Sequence, residues 1–367
     1  MTTSQRLIVK VGSALLCADD GTVRADFVQS VVDDVVRLME NGKQVLIVTS
    51  GAVAIGRRTL GLKGKLTLEE KQAASAVGQT ALIDAWRNGF AKHKKLVAQV
   101  LLTLDDTEIR KRYLNARATM NTLLSVGAIP IINENDTIAT SEIRYGDNDR
   151  LAAHTAQISS ADLLVILSDV DGLYTADPSK DKSAEFIACV DDLSREVMSY
   201  AGGENSQAQM GSGGMRSKLQ AAEIAARSGC STIIASGRVE HPLRAIATGA
   251  NATLIRASLS TERARRQWIG SRLQRKGGVV VDDGAVIALR EGASLLAVGI
   301  AEVFGVFTRG DVILVRGPDG RDFGQGISAF DVSEVEKIAG KPSSAIELEL
   351  GIMRRPAIIE KDDLFLF

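Results

Sequence analysis

Several features that would point to other classes of protein are scarce in this 367-residue sequence. Its three cysteines, Cys17, Cys189 and Cys230, are odd in number and far apart, so they indicate reduced thiols rather than a disulfide framework or a zinc site. The formal net charge of −1 gives no general attraction to nucleic acid or to an acidic membrane surface. No apolar run approaches the roughly 20 residues that span a bilayer. These absences leave an ordinary globular protein that requires no membrane.

Histidines and a secretory signal are also lacking where they would matter. The first ten residues enter a strand pattern directly and contain no apolar signal-peptide core, which predicts a cytoplasmic protein. Only His93, His154 and His241 are present, and none lies in the polar segments described below. A mechanism with a histidine base or a phosphohistidine is therefore disfavoured.

Short apolar runs alternate with amphipathic segments over the first two thirds of the chain. Apolar runs without polar alternation are typical of parallel strands that are buried on both faces by helices. The pattern predicts an α/β fold, an open and mostly parallel sheet in an α/β/α sandwich, whose ligands bind at the carboxyl ends of the strands. The predicted strands lie at residues 7–9, 45–48, 96–102, 129–132, 163–167 and 232–235, and the predicted helices at 27–39, 69–86, 114–126, from about 148, and after 218.

The pattern changes near residue 259, which predicts two domains. Residues 1–259 form the α/β domain, and residues 260–275 form a basic, helical linker. From residue 276 to 367 the chain is rich in Gly, Val and Ile, with short strand-like runs and glycine-containing turns. This composition predicts a small β-rich second domain.

Residues 211–218 have the composition of a phosphate-binding segment. Glycines let backbone N–H groups converge on an anion, and the N-terminus of a following helix adds partial positive charge. Lys218 would add a full charge at the start of an apolar helical segment. The order differs from a Walker loop and from a dinucleotide fingerprint. The run reads Ser212, Gly213, Gly214, Met215, Arg216, Ser217 and Lys218.

Polar residues follow several predicted strands, where a parallel sheet would bring them together. Lys10 ends the first strand, and the later segments are 49–52, 133–136, 146–149 and 168–178. Phosphoryl transfer needs positioning and positive charge, which lysines and Mg²⁺ supply. A carboxylate between two lysines holds both in place. A carboxylate acceptor is ionised at neutral pH and needs no base, so the residues are compatible with a kinase that forms an acyl phosphate, without identifying the acceptor.

These segments, in this order, resemble the amino acid kinase superfamily, and most closely its glutamate 5-kinase family. The resemblance spans nearly the whole chain, and its more specific part is the pair of segments 133–136 and 146–149. The C-terminal segments 292–296, 299–300 and 307–311 resemble a PUA domain. Serine replaces the common threonine at Ser168 and Ser212, and both positions keep a hydroxyl group.

The resemblance implies ATP and Mg²⁺ as cofactors, L-glutamate as substrate and L-glutamyl 5-phosphate, the first intermediate of proline biosynthesis, as product. It also implies L-proline as inhibitor, a homo-oligomer, and transfer of the product to glutamyl phosphate reductase. It assigns no protein ligand to a metal. The implied catalytic residues are Lys10, Lys218 and Asp149, the glutamate-binding residues are Ser50, Asp136 and Asn148, and the ATP-binding residues are Lys10, Ser168, Asp169, Ser212, Gly213, Gly214, Met215, Arg216, Ser217 and Lys218.

Two alternatives remain at this point. One is another amino acid kinase, such as acetylglutamate kinase, although that enzyme typically lacks a PUA-like domain. The other is an RNA-binding protein that acts through the PUA-like domain. Residues 276–367 contain ten basic and fifteen acidic side chains, a net charge of −5, which disfavours binding to phosphates.

Overall fold

The chain forms two compact units, Met1–Thr261 and Glu262–Phe367. The computed structural model describes residues 3–138, 148–201, 214–264, 276–351 and 356–367. Residues 261–264 of the predicted helical linker are helical, and residues 265–275 lie outside the described residues. The predicted division into residues 1–259, 260–275 and 276–367 therefore stays a prediction.

The first unit is built on an eight-stranded sheet in the order β3-β4-β2-β1-β5-β9-β10-β8. All its neighbouring strands are parallel except β9 and β10. A separate two-stranded antiparallel pair joins β6 and β7. The strands are β1 (Arg6–Val11), β2 (Gln44–Val48), β3 (Val97–Leu102), β4 (Ile129–Glu134), β5 (Leu163–Ser168), β6 (Leu173–Tyr174), β7 (Phe186–Ile187), β8 (Cys189–Val190), β9 (Ser231–Ser236) and β10 (Ala252–Ile255).

Helices cover both faces of this sheet, as the sequence predicted. Alternate side chains of β1 enter separate cores: Leu7 and Val9 pack with α2 and α4, and Ile8 packs with α6, α7 and α9. This arrangement confirms the predicted α/β/α sandwich. The helices are α1 (Ser13–Leu16), α2 (Ala25–Glu40), α3 (Ala52–Thr59), α4 (Leu68–Ala91), α5 (Leu104–Glu108), α6 (Arg110–Ser125), α7 (Asn148–Ser159), α8 (Arg195–Ser199), α9 (Met215–Arg227) and α10 (Pro242–Ala247).

Local sequence explains where the long helix α4 begins. The Thr67 hydroxyl accepts a hydrogen bond from the backbone N–H of Glu70 at 3.2 Å, and the Glu70 carboxylate accepts one from the N–H of Thr67 at 2.8 Å. This capping box satisfies two backbone donors that the helix would otherwise leave without partners. At the other end, Trp86 and Phe90 are fully buried against the sheet. Both ends of α4 are thus fixed.

Helix α9 begins earlier than the sequence indicated. It starts at Met215, so Arg216, Ser217 and Lys218 belong to its first turn rather than to a preceding loop. Gly214 is the N-cap residue and accepts a hydrogen bond from the N–H of Lys218. The lysine therefore has a fixed helical backbone at the point where the helix presents its positive end.

The second unit is β-rich and has its own hydrophobic core. A five-stranded sheet in the order β13-β11-β14-β15-β17 is accompanied by the antiparallel pair β12 and β16. Phe307 and Phe330 are buried in its core with the apolar side chains of β11 and β14. Its elements are β11 (Gly277–Val281), α11 (Asp283–Arg290), β12 (Leu295–Leu296), β13 (Ile300–Gly305), β14 (Val312–Arg316), β15 (Asp322–Ile327), α12 (Val332–Ile338), α13 (Ile346–Leu350), β16 (Ala357–Ile359) and β17 (Leu364–Leu366), with 3₁₀ turns at Ala297–Gly299, Ser343–Ala345 and Lys361–Asp363.

Candidate active site

The register of the parallel strands brings the predicted site residues to one edge of the sheet. Lys10 in β1 is level with Val48 in β2 and with Ile166 in β5. Ser50 and Ser168 each lie two residues beyond those partners. Because all these strands run in the same direction, residues that are far apart in the sequence meet at their carboxyl ends.

A buried carboxylate holds two lysines at this edge. Asp149, the second residue of α7, has no solvent exposure. Its Oδ1 lies 2.5 Å from Lys10 Nζ, and its Oδ2 lies 3.3 Å from Lys218 Nζ. Both lysine side chains are less than one tenth exposed. The structure therefore brings together the three residues that the sequence predicted to be catalytic.

The charges in this cluster determine the protonation state of Asp149. Burial alone would raise the pKa of its carboxyl group, but the opposing charges of Lys10 and Lys218 hold that pKa below its ordinary value. Its position in the first turn of α7 is also favourable for a negative charge. Ser217 donates a hydrogen bond to Asp149 Oδ2 at 3.2 Å. Asp149 is consequently an ionised anchor and not a proton acceptor at neutral pH.

The side-chain amide of Asn148 connects this cluster to the residues predicted to bind glutamate. Its Nδ2 lies 2.6 Å from the backbone oxygen of Thr49, 2.9 Å from Ser50 Oγ and 2.9 Å from Asn133 Oδ1. Asn148 is buried. Since Asn148 and Asp149 are adjacent, the start of α7 joins the predicted phosphoryl site to the predicted glutamate site.

Asp136, the third residue predicted to bind glutamate, is buried and accepts a hydrogen bond from the Ser75 hydroxyl. The distance between Ser75 Oγ and Asp136 Oδ2 is 2.5 Å. Burial raises the pKa of Asp136 above its ordinary value, although the hydrogen bond from Ser75 opposes this shift. No lysine or arginine pairs with Asp136 among the ion pairs of the described residues. A buried carboxylate of this kind is suited to a cationic ligand.

The residues predicted to bind ATP lie at neighbouring strand and helix ends. Ser168 ends β5, and its hydroxyl donates to Asp169 Oδ1 at 2.9 Å. Asp169 is about half exposed and lies 3.9 Å from Arg238 Nη2. Gly214 and Arg216 are exposed at the start of α9, and Met215 is partly buried. Ser212 and Gly213 lie outside the described residues, as do Gly146 and Asp147 of the acidic segment.

Sequence reasoning missed three residues of α4 that support this site. Ser75 and Gln79 lie one turn apart, and Gln79 Oε1 accepts a hydrogen bond from Asn133 Nδ2 at 2.6 Å. Trp86 Nε1 donates to Thr49 Oγ1 at 3.1 Å. Ser75 and Gln79 had one signal in the sequence: they are polar residues four positions apart within a helix whose other buried residues are mostly apolar.

Among the residues that the structure describes, no group of three or more His, Cys, Asp or Glu side chains could hold a metal ion. The helices within the same residues include none whose length and apolarity would allow it to cross a membrane.

Each of the two units of this chain matches a known protein family. Residues 5–236 match the Amino acid kinase family, and residues 277–350 match the PUA domain. The solved structure of the UMP kinase from Bacillus anthracis is 16% identical to this chain and has a TM-score of 0.47. The match covers 70% of this chain and 97% of the UMP kinase chain. This similarity is too low to support an argument about this chain.

Three bacterial relatives match almost the whole chain. The glutamate 5-kinase of Caulobacter vibrioides strain NA1000 is 50% identical over 98% of this chain and 96% of its own length. That of Bradyrhizobium diazoefficiens is 49% identical over 98% and 96%, and that of Agrobacterium fabrum is 48% identical over 99% and 93%. The chain therefore belongs to the amino acid kinase family and, within it, to the glutamate 5-kinase family, which confirms the resemblance described above.

Proposed function

We propose that this protein transfers the γ-phosphoryl group of ATP to the 5-carboxylate of L-glutamate, which gives L-glutamyl 5-phosphate for proline biosynthesis. The observation that carries the proposal is the buried cluster of Lys10, Asp149 and Lys218 beside the amide of Asn148. Its relatives of nearly half-identical sequence are glutamate 5-kinases.

The two lysines supply positive charge to the transferring group. Negative charge spreads over the oxygens of the γ-phosphoryl group during transfer, and fixed cations stabilise it best where water is excluded. Asp149 holds both ammonium groups in place. The 5-carboxylate of glutamate is itself the nucleophile and is ionised at neutral pH, so no general base is required.

Glutamate binds on the side of the site where Ser50, Asp136 and Asn148 lie. Asp136 is a partner for the α-ammonium group, because it is a buried carboxylate that pairs with no lysine or arginine of the described residues, and such a group gains most from a cation. Ser50 and Asn148 position the substrate beside Asp149. This arrangement directs the 5-carboxylate towards the two lysines.

The nucleotide binds across the carboxyl ends of β1 and β5 and the start of α9. Lys10, Ser168 and Asp169 contact it from the strands, and residues 212–218 contact its phosphates from the start of the helix. Mg²⁺ would accompany the nucleotide and would supply further positive charge to its phosphate oxygens.

L-Proline is proposed as an inhibitor that competes with glutamate. It shares the α-amino and α-carboxylate groups that Asp136, Asn148 and Ser50 would contact.

The product of the proposed reaction is an acyl phosphate. Its direct transfer to glutamyl phosphate reductase and a cytoplasmic location of the protein are part of the proposal. A homo-oligomer is also proposed, since β3 is an edge strand of the sheet and exposes Leu101 within the strand and Leu96 directly before it.

An acceptor screen tests the reaction. The protein is incubated with ATP, Mg²⁺ and one candidate acceptor, and any acyl phosphate is trapped as a hydroxamate with hydroxylamine. We expect hydroxamate from L-glutamate and little from L-aspartate or N-acetyl-L-glutamate, with no product when ATP is omitted. Equal turnover of N-acetyl-L-glutamate would refute the proposed acceptor while leaving the kinase family unchanged.

A further inference from the structure

Three buried side-chain amides form a hydrogen-bonded series below the proposed glutamate site. Asn148 Nδ2 donates to Asn133 Oδ1 at 2.9 Å, and Asn133 Nδ2 donates to Gln79 Oε1 at 2.6 Å. All three residues are less than one tenth exposed. We call Asn148, Asn133 and Gln79 the amide relay.

A backbone carbonyl fixes the direction of the amide relay. The Thr49 backbone oxygen can only accept a hydrogen bond, and it lies 2.6 Å from the Asn148 amide, so the nitrogen of Asn148 must face it. Asn133 must then present its oxygen to Asn148 and its nitrogen to Gln79. The one remaining polar atom of the Asn148 side chain is Oδ1, an acceptor suited to an ammonium group. At the opposite end, Gln79 Nε2 has no hydrogen-bond partner among the described residues.

Gln79 is the member of the amide relay that holds the orientation of Asn133. Without the Gln79 oxygen, the Asn133 amide has two unfavourable states. In its present orientation, its buried NH₂ group lacks the acceptor that Gln79 supplied. After a rotation by 180°, that NH₂ group faces the NH₂ group of Asn148. Either state costs roughly 1–3 kcal/mol. In the rotated state, repulsion between the NH₂ groups of Asn133 and Asn148 would displace the Asn148 amide from the position that the Thr49 carbonyl holds, and with it the Oδ1 atom that faces a cationic ligand.

We propose that Gln79 is a positioning residue that determines recognition of the α-ammonium group of the substrate through Asn133 and Asn148. Ser75, one turn earlier on α4, contacts Asp136. One face of α4 thus supports both Asp136, which the proposed function assigns to that ammonium group, and Asn148, which the proposed function places beside the substrate. The inference rests on that placement of the substrate and adds the contact of Asn148 Oδ1 with the ammonium group.

Two substitutions at Gln79 separate the effect of its hydrogen-bond acceptor from the effect of its size. Gln79→Met preserves size but removes the acceptor, and we expect KM for L-glutamate to rise about tenfold, the equivalent of a buried hydrogen bond. We expect kcat and KM for ATP to stay near their original values. Gln79→Glu keeps an oxygen that accepts from Asn133, so it should restore most of the affinity. Gln99→Met on the edge strand β3 makes the same chemical change at an exposed position and serves as the control.

Glutarate, which is glutamate without its α-amino group, gives the discriminating measurement. We expect the ratio of kcat/KM for L-glutamate to that for glutarate to fall in Gln79→Met but not in Gln79→Glu or Gln99→Met. If Gln79→Met lowers both values equally, or if Gln79→Glu is as impaired as Gln79→Met, the inference is wrong. Thermal unfolding of each variant accompanies the kinetics, and Gln79→Ala replaces Gln79→Met if that protein does not fold.

Asn148→Ala distinguishes failure of this inference from failure of the proposed site. If Asn148→Ala raises KM for L-glutamate and Gln79→Met does not, Gln79 has no positioning role and the assignment of Asn148 stands. If Asn148→Ala leaves KM for L-glutamate unchanged, the assignment itself is wrong and the inference is overturned with it.

Discussion

Asp149 is an ionised carboxylate without solvent exposure, and its two lysine partners explain why that state is stable. Burial of an isolated charge costs several kcal/mol, which the attraction of Lys10 and Lys218 offsets. The arrangement leaves the cluster with a net positive charge directed at the carboxyl ends of the strands. That charge suits an anionic phosphoryl group, which would complete the neutralisation of the site.

Lys218→Met tests this charge distribution. We expect kcat to fall by about 10²- to 10³-fold, the usual effect of removing a donor that stabilises transition-state charge, with a smaller effect on ATP affinity. Hydroxamate formation measures the rate, and calorimetry measures ATP binding. Lys180→Met changes an exposed lysine and should leave both values unaltered. Near-normal turnover of Lys218→Met would contradict the assignment of a phosphate-binding role to residues 212–218.

Asp136→Asn should stabilise the protein while it weakens substrate binding. Burial raises the folded-state pKa of Asp136 above its unfolded value, so its contribution to stability is fully present below the unfolded pKa and is lost as pH rises through the folded pKa. Its ionised form therefore opposes folding at neutral pH. Without substrate, we expect the Asp136→Asn variant to have a higher Tm than the original protein at neutral pH.

That difference in Tm should shrink at acidic pH, where the original carboxyl group is protonated. The Asp136→Asn variant also loses the carboxylate that is proposed to bind the α-ammonium group of the substrate. We expect KM for L-glutamate to rise and kcat to change less, since an interaction that is equally strong in the ground and transition states does not alter kcat. Thermal unfolding across pH and steady-state kinetics measure the two effects. A lower Tm for Asp136→Asn at neutral pH would contradict the account of Asp136 as a destabilising, ligand-binding charge.

At the scale of elements, two glycines allow helices α3 and α4 to cross closely beneath the site. A Cβ added at Gly56 would overlap the backbone oxygen of Ala74, and one added at Gly78 would overlap the backbone oxygen of Ala52. Gly78 lies directly before Gln79, and α3 begins two residues after Ser50. The close crossing therefore brings the polar face of α4 to the residues that follow β2.

Gly78→Ala should force these helices apart. We expect a lower Tm, because overpacking of this kind typically costs about 1–3 kcal/mol, and a higher KM for L-glutamate, because Gln79 and Ser75 would move with α4. Gly284→Ala in α11 is the matched control: its added Cβ has an ordinary contact, and removal of a helical glycine should stabilise the protein slightly. An unchanged KM for Gly78→Ala would show that the crossing does not position the site.

At the scale of the whole molecule, every described residue of the proposed site lies in the first unit. That unit has cores on both faces of its own sheet, and the second unit has a separate core. The chemistry and the second unit are therefore separable in principle.

A chain that ends at residue 259 should still phosphorylate L-glutamate. Because the proposed catalytic residues and both halves of the site remain, we expect hydroxamate formation at a rate comparable to that of the full chain. Circular dichroism and thermal unfolding establish whether the shortened chain is folded. A folded but inactive truncation would show that the functional boundary lies elsewhere.

The sequence by itself determined six of the eight strands of the large sheet and the polar residues that follow several of them. Runs such as Leu7–Val9 and 163–167 are apolar without alternation, and that pattern arises where helices cover both faces of a strand. Lys10 and Lys218 could be singled out because one ends a strand and the other precedes an apolar helical segment, whereas the role of Asp149 was implied by the resemblance to the amino acid kinase superfamily. The strands β6, β7 and β8 could not be predicted, since two residues show no periodicity, and the four-residue strand β10 was missed as well.

Only the tertiary structure decided which side chains meet. The order of the strands in the sheet and the close crossing at Gly56 and Gly78 place α4 beside the carboxyl ends of β2 and β4. Gln79 and Asn133 are 54 positions apart in the chain and share one hydrogen bond. Local sequence encodes the periodicity of a helix, but a contact between distant segments depends on how whole elements pack, so the support for Asn148 and Asp136 became evident only in three dimensions.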